Sequence, residues 1–146
     1  MRVNSGFTLI EIVVALLIVA LLATLAIPSY QNAVIKSKRA EGRAALMRLM
    51  QQQERYYSVH TTYLPFSATS GDEHERQFSW YSGTSEQSSS YEISAEACDS
   101  SGIRHCIRLM ARPGTDRVDA SYRDFVCGTL TLDSRGDKSA AANDCW

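Results

Sequence analysis

Between Phe7 and Ile27 the chain runs for 21 residues with one charge, Glu11, and two hydroxyls, Thr8 and Thr24. A run this long and apolar matches the ~20 residues that a helix needs to cross a bilayer. It finds a partner only in lipid or among other greasy helices. The carboxylate is the unusual part, because an ionised side chain at the bilayer centre costs about 2.5–3.5 kcal/mol and marks a functional site by default. One reading is a tolerated group near a helix end that reaches back to the interface. The other depends on what precedes it. Residues 1–6, MRVNSG, are short and polar, with Arg2 the only charge and no apolar segment ahead of a small-residue cleavage site. A secretory signal puts its apolar run before the cut, whereas here a polar leader precedes an intact run. Cutting after Gly6 would leave the anchor on the chain and create an amine on Phe7. That amine could meet Glu11 of a neighbouring copy in low dielectric, where an opposite-charge pair is stronger than in water. The pair would fix the axial stagger of an assembly.

The residues G-F-T-L-I-E-I-V-V-A-L-L-I-V-A-L-L-A-T-L-A-I-P-S-Y resemble the N-terminal signature of type IV prepilins. The signature combines the Gly–Phe junction, the Glu four residues on, the apolar run and a Pro at its end. The resemblance implies cleavage between Gly6 and Phe7 by a prepilin peptidase and N-methylation of Phe7. It also implies that Glu11 recruits Phe7 of an adjacent subunit.

After the leader (1–6) and the transmembrane or polymerisation helix (7–27), residues 28–146 suffice for one globular domain and are too few for two. Charge is nearly balanced, 15 Lys and Arg against 16 Asp and Glu, so no global field draws the chain to nucleic acid or anionic lipid. The stretch 36–55 is locally basic, with six cations against Glu41 and Glu54. Positive-inside bias would put that cluster in the cytoplasm. Four cysteines in the last third, Cys98, Cys106, Cys127 and Cys145, argue instead for disulfides in an oxidising space such as a periplasm. No C-x-x-C pair points to zinc.

Pro28 cannot donate the bond an uninterrupted helix needs, so a kink or loosened turn is expected there. A helix over 29–60 then resumes, rich in Ala, Leu, Met, Gln, Glu and Arg, with Gly42 the weak position. Glu41, Arg48, Gln52 and Arg55 define a polar face, and Ala40, Ala44, Leu46, Met47, Met50 and Tyr57 a broad apolar one. A helix of ~50 residues would be ~75 Å long. That exceeds what a small domain can bury, so its first half is expected to protrude into lipid or a helix bundle.

Residues 64–90 read as a loop dense in Ser, Gly, Thr and charge, interrupted by a short strand over 78–81, and suit a subunit contact or an exposed variable surface. Tyr91, Ile93, Ala95 and Ala97 alternate with polar residues, as do Ile107, Leu109 and Ala111. The turn residues Asp99–Gly102 join them as a hairpin. Parity puts Cys98 in phase with Glu92 and Glu96, and Cys106 with Arg108 and Arg112, so both cysteines point away from the helix on neighbouring strands. Of the three connectivities open to four cysteines, this favours Cys98–Cys106, provided the Cα atoms come within ~7 Å. Cys127–Cys145 is then the second bridge, a loop whose closure contributes ~3 kcal/mol on the chain-entropy model. Leu130 and Leu132 mark a third strand, with Asp133–Gly136 as the turn after it.

The C-terminal segment, C-G-T-L-T-L-D-S-R-G-D-K to the closing Cys-Trp, together with Q-Q-E-R-Y-Y-S over 52–58, resembles PilE-type minor pilins. This implies an α+β type IV pilin fold: a long N-terminal helix packed by its amphipathic half on a small antiparallel sheet with a C-terminal disulfide loop. The Cys98–Cys106 pair departs from the simplest one-disulfide pattern. A second bridge also occurs in competence pilins that bind DNA.

Chemistry beyond assembly is thin. His60, His74 and His105 have no metal-ligand spacing, and Asp72, Glu73 and Glu75 read as a solvated loop. Ser88–Ser90 lacks the strand-turn-helix setting of a nucleophile elbow. No phosphate-binding Gly-rich loop occurs. The expectation is no enzyme, no cofactor, no metal and no catalytic residue. The chain reads as a structural minor subunit of a type IV pilus, with a role in pilus assembly or initiation and hence in motility and adhesion. Its expected partners are other pilin subunits, a prepilin peptidase, the inner-membrane assembly platform, and the bilayer before assembly. The expected location is the bacterial inner membrane, single-pass with the C-terminal domain periplasmic, and then the surface pilus. The alternatives are a DNA-binding competence pilin and a type II secretion pseudopilin. Nucleic-acid binding would draw on Arg104, Arg108, Arg112, Arg117 and Arg123, but Asp116, Asp119 and Asp124 interrupt that set.

Overall fold

In the computed structural model, residues 6–100 and 102–146 are described, position 28 by its backbone alone. The elements are helix α1 (Leu9–His60) and strands β1 (Tyr91–Ala97), β2 (Ile107–Pro113), β3 (Leu130–Asp133) and β4 (Lys138–Ser139), with short 3-10 turns at Glu75–Gln77 and Asn143–Cys145. Contacts divide the chain into two compact units, Met1–Lys36 and Ser37–Trp146.

In the first unit the helix presents its apolar side chains to the surroundings. Its most apolar window is long and greasy enough to cross a membrane, and none of that window is buried.

In the second unit the helix buries a narrower stripe than residue type suggests. Gly42, Ala45, Leu46, Leu49 and Gln53 are buried, whereas Ala40, Ala44 and Met47 face outward, Met47 being 43% exposed. The steps of three, one, three and four residues are those of one helix face. Alanines do not mark a face by themselves, and Gln53 belongs to the buried one because its amide is satisfied. Its Nε2 donates to the Leu64 carbonyl at 2.7 Å and its Oε1 accepts from the Leu64 N–H at 3.0 Å. The side chain thus meets both backbone groups of a residue leaving the helix.

The sheet is antiparallel in the order β1-β2-β3-β4. Its buried face comprises Tyr91, Ile93 and Ala95, then Ile107, Leu109 and Ala111, then Leu130 and Leu132. On the other face the register sets Glu92 opposite Arg112 and Glu96 opposite Arg108.

The strand expected over 78–81 is not formed. Tyr81 makes a single isolated bridge to Glu92 and Phe66 another to Ala95. Packing still fixes this segment, since Phe66 and Phe78 are buried and stacked at 5.3 Å. The polar connection after β2 is likewise more than surface, because it buries Val118, Tyr122 and Asp124.

Cys98 is joined to Cys106 (Cα–Cα 5.4 Å) and Cys127 to Cys145 (Cα–Cα 5.6 Å). Cys98 and Cys106 sit one position beyond the Ala97–Ile107 pair, where the Cys98 N–H still donates to the Cys106 carbonyl at 3.2 Å. Both are buried, with an Asp133 carboxylate oxygen within 4.8 Å of their sulfurs.

Candidate functional site

The first helical turn holds Glu11 by local chemistry. Thr8 precedes the helix and Glu11 is its third residue, the T-x-x-E spacing of a capping box. The Thr8 backbone N–H and hydroxyl both donate to Glu11 Oε2, at 2.9 and 2.7 Å, and the Glu11 N–H donates back to the Thr8 hydroxyl at 3.4 Å. Sequence reasoning treated Glu11 as a lone charge, although the capping signal was present three residues upstream. Among the described residues Oε1 accepts no hydrogen bond, so one carboxylate oxygen stays available to a partner. Glu11 shares a shallow apolar groove with Ile10, Val14, Ala15 and Ile18. Phe7 is 85% exposed, and among the described residues a Cβ at Gly6 would meet no atom within 4 Å beyond its chain neighbours. Pro28 lies inside α1, and its side chain is outside the described residues.

In the second unit the basic residues at the start of the amphipathic segment are spent on an internal clamp. Arg39 donates Nε to Asp124 Oδ2 at 2.8 Å and Nη2 to Oδ1 at 2.9 Å, a two-pronged pair with the carboxylate side chain 1% exposed. The Cys127 N–H and the Tyr91 hydroxyl add bonds to the same carboxylate, at 3.0 and 3.2 Å, and the Tyr91 and Tyr122 hydroxyls are 3.0 Å apart. Burial pushes the Asp124 carboxyl up, but the Arg39 guanidinium and the Cys127 N–H more than offset it, and the group sits below the usual carboxylate range. Burial also drives the Tyr91 phenol well above its ordinary value and raises that of Tyr122. Beside them Lys38 bonds Asp119 at 3.0 Å and lies over the Tyr122 ring. The Ser121 hydroxyl and Lys38 lower Asp119 to about 2. These contacts fix the turn that carries Phe125 and Val126, which are 92% and 64% exposed. Apolar residue type alone carries no sign of that display.

Three of the arginines weighed for nucleic acid have defined neighbours. Arg108 and Arg112 share the outward face of β2 opposite Glu96 and Glu92. Arg123 donates to the Gly114 and Tyr122 carbonyls. His60 stacks on Tyr56 at 4.0 Å. Among the described residues the grouping with metal-ligand proximity is Cys98, Cys106 and Asp133. Its two sulfurs are bonded to each other, which leaves a single carboxylate to offer an ion.

A greasy N-terminal helix carrying one capped carboxylate, continued into a disulfide-stapled helix-on-sheet domain, defines a pilin-like subunit. Residues 1–27 match the family model of the prokaryotic N-terminal methylation motif. Residues 28–131 match that of the type IV minor pilin ComP, DNA uptake sequence receptor, and the chain belongs to this type IV minor pilin family. It is 34% identical over 73 residues to the type IV major pilin protein PilA of Myxococcus xanthus, an alignment covering 50% of this chain and 33% of that protein. The chain thus matches only about a third of the length of this curated relative. A solved type IV pilin from Shewanella oneidensis aligns with a TM-score of 0.47 and 24% identity, covering 77% of this chain and 97% of that one. The Neisseria meningitidis non-core minor pilin PilV aligns with a TM-score of 0.47 and 18% identity, covering 77% and 91%.

Proposed function

We propose that this chain is a minor structural subunit of a type IV pilus, taking part in pilus assembly or its initiation and so in motility and adhesion. The carrying observation is the exposed apolar first part of α1 with Glu11 set in its groove, a surface that one folded chain leaves uncovered. Burying it among like helices supplies the driving force for assembly. In this reading a prepilin peptidase cuts between Gly6 and Phe7, Phe7 is N-methylated, and Pro28 marks a bend in the helix. The Phe7 amine of one subunit then meets Glu11 of the next. Thr8 already orients that carboxylate, so less ordering is lost on docking. Before assembly the segment 7–27 spans the inner membrane with the disulfide-bonded domain in the periplasm, where the assembly platform and other pilins meet it.

The test is to shear pili from cells and analyse them by mass spectrometry. The reading expects this chain in the filaments at low abundance, beginning at an N-methylated Phe7. Its presence in membranes but never in filaments, or a mature chain retaining residues 1–6, would overturn it.

A second reading follows from the name of the matching family, a DNA uptake sequence receptor. Arg108 and Arg112 on β2 are its best-placed cations, but each faces a glutamate across the sheet, and Lys38 and Arg39 are occupied by Asp119 and Asp124. Phosphate binding draws on free cations and weakens steeply with salt. A gel shift of the chain with duplex DNA at low salt that disappears at high salt would favour this reading, and no shift at low salt removes it.

A further inference from the structure

We infer that the cleft between the segment after α1 and the rail beside β1 is a binding site for an uncharged sugar ring. The cleft has a volume of about 420 Å³, within the range of small-molecule sites. Its walls include Ser67, Arg76, Gln77, Trp80, Tyr81 and Glu86.

The aromatic wall is held by backbone bonds. The Ile93 N–H donates to the Trp80 carbonyl at 2.6 Å, the Ser82 N–H to the Tyr91 carbonyl at 3.1 Å, and the Ser79 hydroxyl to the Tyr81 carbonyl at 2.9 Å. The preceding Phe78 side chain is buried against Phe66. Trp80 and Tyr81 are therefore carried on a fixed rail, half-exposed, with their rings edge to face at 5.2 Å. A site whose support is already ordered loses less entropy when it binds.

Four polar groups of the cleft are unspent. Among the described residues the Arg76 guanidinium, the Gln77 amide, the Trp80 indole N–H and the Glu86 carboxylate make no internal hydrogen bond or ion pair. Together they offer donors and acceptors around an aromatic face. This is the chemistry that a pyranose needs, with hydroxyls that both donate and accept around an apolar face of C–H bonds.

Charge selects against the alternatives. Over residues 67–90 there are four acidic side chains, Asp72, Glu73, Glu75 and Glu86, and one basic, Arg76. A phosphodiester backbone or an acidic sugar would enter a net negative neighbourhood, whereas a neutral ring would not. A nucleobase could stack on Trp80, but its phosphates would enter a segment whose charge is net negative.

The full chain, in a detergent without a sugar headgroup and carrying Trp146→Phe so that emission reports Trp80, would be applied to immobilised glucose-, galactose-, mannose- and N-acetylglucosamine-terminated saccharides. Sialylated, uronic and phosphorylated saccharides and single-stranded DNA would run alongside. We expect retention on at least one neutral saccharide, insensitive to salt, with a shift in tryptophan emission. Gln77→Ala and Arg76→Ala are exposed changes that keep the fold, and Trp80→Ala is checked by circular dichroism. Each should weaken retention by about tenfold or more. Retention of none of the neutral saccharides, retention only of acidic saccharides or DNA with loss at high salt, or Gln77→Ala and Arg76→Ala binding as the parent does would each overturn the proposal.

Discussion

Gly42 of α1 faces the ring of Tyr91 on β1 so closely that a Cβ at position 42 would lie 2.8 Å from Cδ2 and 3.0 Å from Cε2. The glycine that weakens the helix as a local sequence is therefore what lets the helix meet the sheet. Tyr91 is fully buried and its hydroxyl reaches Tyr122 and Asp124, so the ring has little room to yield.

Gly42→Ala accordingly sets two effects against each other. Alanine improves helix propensity by ~1 kcal/mol, while overpacking a filled site costs ~1–3 kcal/mol. Because the neighbour is a ring tied at both ends, net destabilisation is expected, seen as a lower midpoint in chemical denaturation of the full chain. A raised midpoint would mean that the contact is soft.

Gly114, just after β2, has φ of +59°, and a Cβ there would lie 1.9 Å from the Tyr122 carbonyl oxygen. Left-handed backbone costs a side-chain-bearing residue about 1–3 kcal/mol, and the carbonyl cannot move without disturbing Tyr122. Gly114→Ala is expected to destabilise more than Gly42→Ala. Equal or smaller loss, measured in the same denaturation series, would contradict the geometry.

Arg39 and Asp124 are two-pronged and largely buried. Arg39→Met leaves a buried carboxylate without its main partner, a loss of ~3–5 kcal/mol. Pairing it with Asp124→Leu removes the stranded charge and is expected to recover a large part of that loss. Equal melting of the single and double variants would refute this account of the pair.

Asp119 titrates near 2 in the folded chain through Ser121 and Lys38, against ~3.9 for an unfolded aspartate. A folded value below the unfolded one adds stability that is fully present above about pH 4 and is lost as pH falls towards 2. Asp124 shifts in the same direction. Denaturation midpoints should therefore fall across that acid window, and Asp119→Asn should flatten the fall. Parallel acid limbs for parent and variant would remove Asp119 from the explanation.

The long apolar helix, the hairpin and the register of its charges were legible because apolar length and period-two alternation are local signals. Glu92 and Glu96 do oppose Arg112 and Arg108. The buried helix face was read too broadly, since Ala40, Ala44 and Met47 look apolar yet point outward while Gln53 looks polar yet is buried. Gln53 was decided by a bond to Leu64 that no periodicity encodes. The Arg39–Asp124 clamp joins residues 85 apart in the chain, so sequence showed two charges and not their pairing. The exposure of Phe125 and Val126 is set by the folded turn, which no local pattern in the sequence encodes.

The docking role of Glu11 is best tested by comparing Glu11→Gln with Thr8→Ala in sheared pili. Glutamine can still close the capping box but carries no charge for a neighbour's amine, whereas Thr8→Ala costs only the cap, ~1 kcal/mol. The account predicts that Glu11→Gln chains fold and stay in the membrane yet are largely lost from filaments, while Thr8→Ala chains still enter them. Glu11→Gln chains entering filaments at the parental level would contradict it, and would leave Glu11 a helix cap alone.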